Sequence, residues 1–181
     1  MSRILILFGT TTGQTGKIAR FLAEQLRGSG NEVDLVEGGQ KGVDPDPTSY
    51  AGVVVATSVH LHDYQRGVRH WVRRHAGALQ GKPSVFISVC LGVLQDDPKV
   101  RHDLDEIVQH FVKETGWQPG RVKIVAGALP YSRYNWITKR VMRRIARKAG
   151  VDTDWHQDYE YTDWEDLRKF ATEFSRQLSG K

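Results

Sequence analysis

A chain of 181 residues, 39% hydrophobic and 26% charged, has the length of one ordinary domain and enough apolar content for a real core. Its lone cysteine, Cys90, excludes an internal disulfide and fits a reducing compartment, and no apolar run approaches the roughly 18 residues of a membrane-spanning helix. The net charge of +5 is local, because residues 121–150 carry nine Lys/Arg and no Asp or Glu, while the other 151 residues hold 17 basic and 21 acidic side chains. A mildly acidic body with one basic element points to an anionic partner.

Arg3–Phe8 reads as a strand whose short apolar run ends in polar residues, so no secretory signal is expected. Gln14–Arg27 reads as a helix with Ile18, Phe21, Leu22 and Leu26 on one face and Gly28 and Gly30 ending it. A short strand at Glu32–Val36 and a loop at Glu37–Ser49, with Pro45 and Pro47, follow. Gly52–Thr57 is a continuous β-branched run, the mark of a strand buried on both faces. Gln65–Ala78 reads as a helix and Pro83–Cys90 as another buried strand. Lys99–Thr115 is a helix with Val100, Leu104, Ile107, Val108, Phe111 and Val112 on its apolar side. Val122–Ala126 is the fifth strand, and helices at about Tyr134–Ala149 and Asp163–Leu178 complete the chain.

Five strands alternating with helices predict an α/β fold: a parallel sheet covered on both faces in a single domain spanning residues 1–181. The site of such a fold lies at the carboxyl ends of the strands, beside the point where strand order reverses. Three loops emerge there: Gly9–Thr15, Ser58–Tyr64 and Leu91–Pro98. The first, T-T-T-G-Q-T at 10–15, places four threonines within six residues between a strand and a helix. Neither the G-x-G-x-x-G dinucleotide fingerprint nor the P-loop G-x-x-x-x-G-K-[ST] is present. Hydroxyls of Thr10, Thr12 and Thr15, the backbone freedom of Gly13 and the N–H groups of the first helical turn are suited to a phosphate. With no Lys or Arg between Arg3 and Lys17, neutral donors are expected to hold it. A Thr-rich helix cap is the bland alternative for the same residues.

The T-x-T-G-x-T loop resembles the FMN phosphate loop of flavodoxins. The stretches LILFGTTTGQTGKIA, TSVHLHDYQRGVRHWVRRHA, PSVFISVCL, GWQPGRVKIVAGALPYSRYNW and YTDWE together resemble the menaquinone-dependent protoporphyrinogen oxidases of bacterial haem biosynthesis, nearly end to end. That resemblance implies a flavodoxin-like three-layer sandwich with strand order 2-1-3-4-5 and bound FMN. It also implies oxidation of protoporphyrinogen IX to protoporphyrin IX, with menaquinone or another quinone as acceptor. It assigns the flavin to Thr10, Thr11, Thr12, Gly13, Gln14 and Thr15 for the phosphate. Around the ring it assigns Ser58, Val59, His60 and Tyr64 on one side and Ser88, Val89, Cys90, Leu91 and Gly92 on the other. The loop Leu94–Lys99 stands where the family carries an insertion, but here it reads LQDDPK, acidic and less similar.

His60 and His62 read as solvated loop residues rather than essential bases. Tyr64 is either a ring contact or a helix cap, and Cys90 is expected to be a small buried hydrophobe. No residue is named as a catalytic acid or base, and no metal site is expected. In SRYNWITKRVMRRIARKAG, a 3.6-residue period puts Ile137, Val141, Met142, Ile145, Ala146 and Ala149 on one packing face. Arg133, Lys139, Arg140, Arg143, Arg144 and Arg147 then form a basic surface for an anionic membrane or for porphyrin carboxylates. Arg66, Arg69, Arg73 and Arg74 add a second basic helix. No recognised nucleic-acid motif is present, so no nucleic-acid partner is expected. Thr162 or Asp163 is expected to cap the last helix, with Trp155 and Trp164 packed. The expected location is cytoplasmic, at the inner face of the cell membrane. An electron carrier or soluble quinone reductase, and a non-catalytic flavodoxin-like binding protein, remain as alternatives. The oligomeric state is left open, a homo-oligomer included.

Overall fold

The strands β1 (Arg3–Gly9), β2 (Glu32–Glu37), β3 (Gly52–Ser58), β4 (Ser84–Cys90) and β5 (Arg121–Ala126) form one parallel sheet in the order β2-β1-β3-β4-β5. The computed structural model describes residues 1–59, 63–148, 150–151 and 153–180, with the backbone alone at Ile145 and Lys148. Strand order reverses beside β1, whose neighbours are β2 and β3 (Phe8↔Glu37, Gly9↔Thr57). The carboxyl ends of β1, β3 and β4 therefore meet at the position where such sheets bind ligands.

Alternation along the strands sorts the core between the two faces. Ile4, Ile6 and Phe8 join the cluster that packs under α1 (Gln14–Gly28) and α5 (Trp164–Leu178). Leu5 and Leu7 join the opposite cluster, under α2 (Arg66–Leu79) and α3 (Pro98–Thr115). There Phe86 and Phe111 stack with ring centroids 4.4 Å apart. β3 and β4 are buried along nearly their whole length, as their continuous apolar runs predict. β5 is an edge strand, and its Arg121 and Lys123 pair with Glu173 (3.0 Å) and Asp166 (2.6 Å) of α5. Two members of the basic segment are thereby neutralised against the fold.

A third, smaller cluster has no counterpart in the periodicity of the sequence. β6 (Ala128–Leu129) and β7 (Tyr159–Glu160) pair antiparallel, Ala128↔Glu160 and Leu129↔Tyr159. Leu129, Tyr131 and Ala146 form its buried centre, with Leu91, Tyr134, Met142 and Trp155 packed around it. α4 (Trp136–Lys148) leans on this cluster rather than on the sheet. The packing face predicted for α4 is therefore corrected. Met142 and Ala146 face inward, whereas Ile137 and Val141 are 56% and 53% exposed. The side chains of Ile145 and Ala149 lie outside the described residues.

Candidate functional site

The turn from β1 into α1 is closed by Gly13, whose φ of 97° lies in the left-handed region that a side chain disfavours. Gly13 stands at the helix N-cap, so no side chain caps the first turn, and that turn contains no acid. The helix start thus keeps its positive end and its orphan N–H groups. The Gly13 N–H donates to Thr10 Oγ1 at 2.9 Å, which leaves the Thr10 hydroxyl hydrogen free to point elsewhere. Thr15 is 1% exposed, and its Oγ1 has no hydrogen-bond partner among the described residues. A buried hydroxyl left unpaired costs about 1–3 kcal/mol. An anion accepting from it at the same helix start relieves that cost.

Arg133 places a cation beside the loop for which the sequence suggests neutral donors alone. Its Nη1 donates to the Thr12 carbonyl at 2.8 Å, and a Cβ at position 13 would stand 2.8 Å from the same nitrogen. Arg133 therefore belongs to the threonine loop and not to the outer surface of α4. Lys17, the first cation after the loop, is instead paired with Glu160 at 2.5 Å and sits over the Trp164 ring.

Gln65, not singled out from the sequence, joins the first loop to the second. Its Oε1 accepts from the Ser58 N–H (3.1 Å) and from the Thr57 hydroxyl. Its Nε2 donates to Ser58 Oγ (2.7 Å) and Thr11 Oγ1 (3.0 Å). All four hydrogen-bonding sites of the amide are used, and both hydroxyls that accept from it keep their own hydrogens for a ligand. A Cβ on Gly9 would lie 2.9 Å from Gln65 Cβ and 2.7 Å from Val68 Cγ2, so only glycine lets this helix close onto the strand.

The other predicted residues divide. Val59 donates to the Val89 carbonyl at 3.0 Å, tying the β3 and β4 ends together, while the Val89 side chain is buried in the core. Tyr64 is 4% exposed, its hydroxyl lies 2.9 Å from Ser88 Oγ, and its ring packs edge-on against Phe86 and Phe111. The ring-contact reading of Tyr64 is therefore corrected, and Ser88 turns inward with it. Burial pushes the Tyr64 phenol well above its ordinary value, with the Ser88 hydrogen bond pulling the other way. Cys90 is buried, and burial likewise raises its thiol despite backbone N–H donors at Val93 and Gly92. Leu91 packs into the third cluster and Gly92 opens a 3-10 turn. His60 and His62 lie outside the described residues. The acidic LQDDPK loop has a structural explanation: Asp97 caps α3 through the Lys99 N–H (2.8 Å), and Asp96 pairs with Arg101.

The YTDWE stretch locks the third cluster to the threonine loop. Thr162 Oγ1 donates to the Ala126 carbonyl (2.8 Å) and accepts from Gln14 Nε2 (2.9 Å). Asp163, not Thr162, caps α5 through the Asp166 N–H. Trp164 bonds Glu160 (2.6 Å) and packs on Phe21.

The basic surface also resolves. Arg140, Arg144 and Arg147 are exposed, and among the described residues no carboxylate pairs with them. Trp136 beside them is 69% exposed. Lys139 is half-buried, and Arg143 turns inward with its guanidinium 5.0 Å from the Trp155 ring. The outer face is therefore Trp136, Ile137, Arg140, Val141 and Arg144, apolar and basic residues interleaved. Among the described residues, no helix is long and apolar enough to cross a membrane, and no His/Cys/Asp/Glu group is arranged to hold a metal ion.

Residues 5–156 match the model of a flavodoxin domain. The chain is 34% identical over 173 residues to the protoporphyrinogen IX dehydrogenase [quinone] of Escherichia coli (strain K12), covering 96% of this chain and 94% of that protein. It is 29% identical over 177 residues to the protein of the same name from Leishmania major, covering 96% and 74%. Among solved structures, oxidised flavodoxin 1 from Bacillus cereus superposes with a TM-score of 0.58 at 16% identity, over 97% of this chain and 98% of that one. A flavodoxin from Pseudomonas aeruginosa does so at 0.57 and 15%, over 98% and 99%. With this strand order, this carboxyl-edge loop cluster and these relatives, the chain belongs to the flavodoxin superfamily and, within it, to the family of the quinone-linked protoporphyrinogen IX dehydrogenases.

Proposed function

We propose that this chain binds FMN at the carboxyl edge of its sheet, oxidises protoporphyrinogen IX and delivers the electrons to a quinone at an anionic membrane surface. The substrate and acceptor rest on the relatives, protoporphyrinogen IX dehydrogenases [quinone], that match nearly the whole chain. The observation that carries the cofactor is the orphaned Thr15 hydroxyl at an uncapped, acid-free helix start. Thr10 and Thr11 hydroxyl hydrogens and the Arg133 guanidinium stand beside it. This donor set fits a phosphate monoester, and it offers neither the lysine nor the metal ligands expected of a triphosphate site.

FMN, when bound, supplies the redox chemistry, taking an electron pair from a reduced donor and passing it on. The protein's part is to bind, orient and shield. The α1 start holds the phosphate. Gln65 fixes the first and second loops relative to each other, and the Val59–Val89 hydrogen bond fixes the second to the third. The buried, neutral thiol of Cys90 keeps a nucleophile out of the site. The Trp136–Arg144 face supports docking at a lipid surface, where quinone and the poorly soluble tetrapyrrole are held, at about 1 kcal/mol per exposed basic residue. Menaquinone is the acceptor that the family resemblance favours.

The reductive half-reaction tests this reading. Anaerobic mixing of the FMN-loaded protein with protoporphyrinogen IX should bleach the flavin absorbance while protoporphyrin fluorescence appears. A flavin that stays oxidised under these conditions overturns the substrate assignment and leaves an electron carrier or another quinone reductase. A protein that binds no FMN overturns both.

A further inference from the structure

We infer that Arg133 is a charged clamp on the cofactor phosphate, and that phosphate occupancy fastens the 127–162 unit onto the flavodoxin body. The inference rests on the FMN reading above and assigns a role to a residue outside the threonine loop. Flanking residues fix the backbone of Arg133. Tyr131 is fully buried in the third cluster, and the Ser132 N–H and hydroxyl both donate to the Asp158 carboxylate, at 2.8 and 2.6 Å. From that anchored 3-10 turn the side chain leaves its own unit and crosses to Thr12, 121 positions earlier in sequence. A guanidinium carries five N–H donors. Among the described residues, one side-chain hydrogen bond, to the Thr12 carbonyl, uses them.

A single bond from an exposed arginine to a carbonyl gains little by itself. The same guanidinium beside a phosphate makes charge-assisted bonds, and its planar fork can engage two oxygens at once. Gly13 has the backbone conformation of a left-handed turn, and its missing Cβ leaves the space that Arg133 Nη1 borders. The unit carrying Arg133 touches the phosphate end of α1 at two further points, Gln14–Thr162 and Lys17–Glu160. An anion gripped by Arg133 on one side and by the α1 start on the other therefore bridges the two units. The basic helix α4 packs into the same unit through Met142 and Ala146.

Riboflavin, which lacks the phosphate, separates this role from ordinary packing. Dissociation constants for FMN and riboflavin are measured on the apo-protein for the wild type, Arg133→Ala, Arg133→Lys and Arg20→Ala. Arg20 is the control because its guanidinium also lies near the α1 start, 3.5 Å from a Cβ placed on Gly16. Arg133→Ala should weaken FMN about 10- to 100-fold, the ordinary range for a charge-assisted hydrogen bond, with riboflavin changed less than about twofold. Arg133→Lys should recover part of the loss, and Arg20→Ala should change FMN less than about threefold. An unchanged ratio of FMN to riboflavin affinity in Arg133→Ala, or an equal loss in Arg20→Ala, overturns the clamp.

Hydrogen exchange on the wild type answers the same question if the variant does not fold. FMN should slow exchange across residues 128–134 and 158–161 more than riboflavin does, and equal protection by the two flavins overturns the fastening. Wild-type protein that binds neither flavin overturns the cofactor reading itself. Wild-type protein that binds FMN without Arg133 dependence overturns this inference alone.

Discussion

Gln14 Nε2 donates to Thr162 Oγ1 at 2.9 Å, joining the first residue of α1 to a position 148 residues later. The same Thr162 oxygen donates to the end of β5, so one buried hydroxyl links the threonine loop, the sheet edge and the YTDWE stretch. Two long-range bonds through one hydroxyl make it a sensitive place to cut.

Thr162→Val keeps the shape and removes both bonds. Leaving the half-buried Gln14 donor and Ala126 acceptor short of a partner should cost about 1–3 kcal/mol. In a protein of this size that lowers the Tm by roughly 2–10 °C. FMN affinity should fall as well, because Gln14 opens the turn proposed to hold the phosphate. A thermal melt with and without FMN checks both effects.

Gln65→Glu tests the coupling of the first two loops. The carboxylate still accepts from the Ser58 N–H but cannot donate, so it takes the Thr11 and Ser58 hydroxyl hydrogens that Gln65 leaves for a ligand. It also brings a negative charge towards the phosphate loop. FMN titration should give a loss of about tenfold or more, larger than in Gln65→Ala, while circular dichroism stays that of the wild type.

Cys90 carries the pH prediction. Burial raises the folded thiol above its ordinary 9.0, so the folded state favours the protonated form. Its contribution to stability is complete below pH 9 and fades as pH rises through the raised value. At pH 8 iodoacetamide should alkylate native protein at least about tenfold more slowly than protein in urea. Cys90→Ala should keep its activity, because the thiol has no role in the reaction derived above.

Arg140→Gln together with Arg144→Gln should weaken sedimentation with phosphatidylserine vesicles by roughly 30-fold, following about 1 kcal/mol per basic side chain. FMN content should not change, because neither residue touches the loops. Trp136→Ser should weaken binding to neutral vesicles too, since it removes apolar rather than electrostatic anchoring.

Much of this was legible in the sequence because burial on both faces leaves a simple signature. β3 and β4 read as strands dominated by apolar residues, and β1 alternates between two cores from Ile4 to Phe8 without a polar residue. β6 and β7 were not legible, since two residues each leave no period to count. The face of α4 was misread for a related reason: its cluster is narrow, so the apolar stripe is split between Met142 and Ala146 inside and Ile137 and Val141 outside. Tyr64 looked like a flavin contact because loop position alone does not distinguish a ring turned outward from one packed on Phe86 and Phe111. Gln65 and Arg133 were missed as parts of the threonine-loop site because what selects them is tertiary contact, across 54 and 121 positions. The four threonines are visible in the sequence; the cation that the fold sets beside them comes from 121 positions further along the chain.

The most direct test of the account is steady-state turnover. FMN-loaded protein on anionic vesicles containing menaquinone should form protoporphyrin from protoporphyrinogen IX anaerobically, at a rate that rises with protein and stops when the quinone is exhausted. Protoporphyrin formation no faster than in vesicles without protein, from a sample whose flavin content is full, would contradict it.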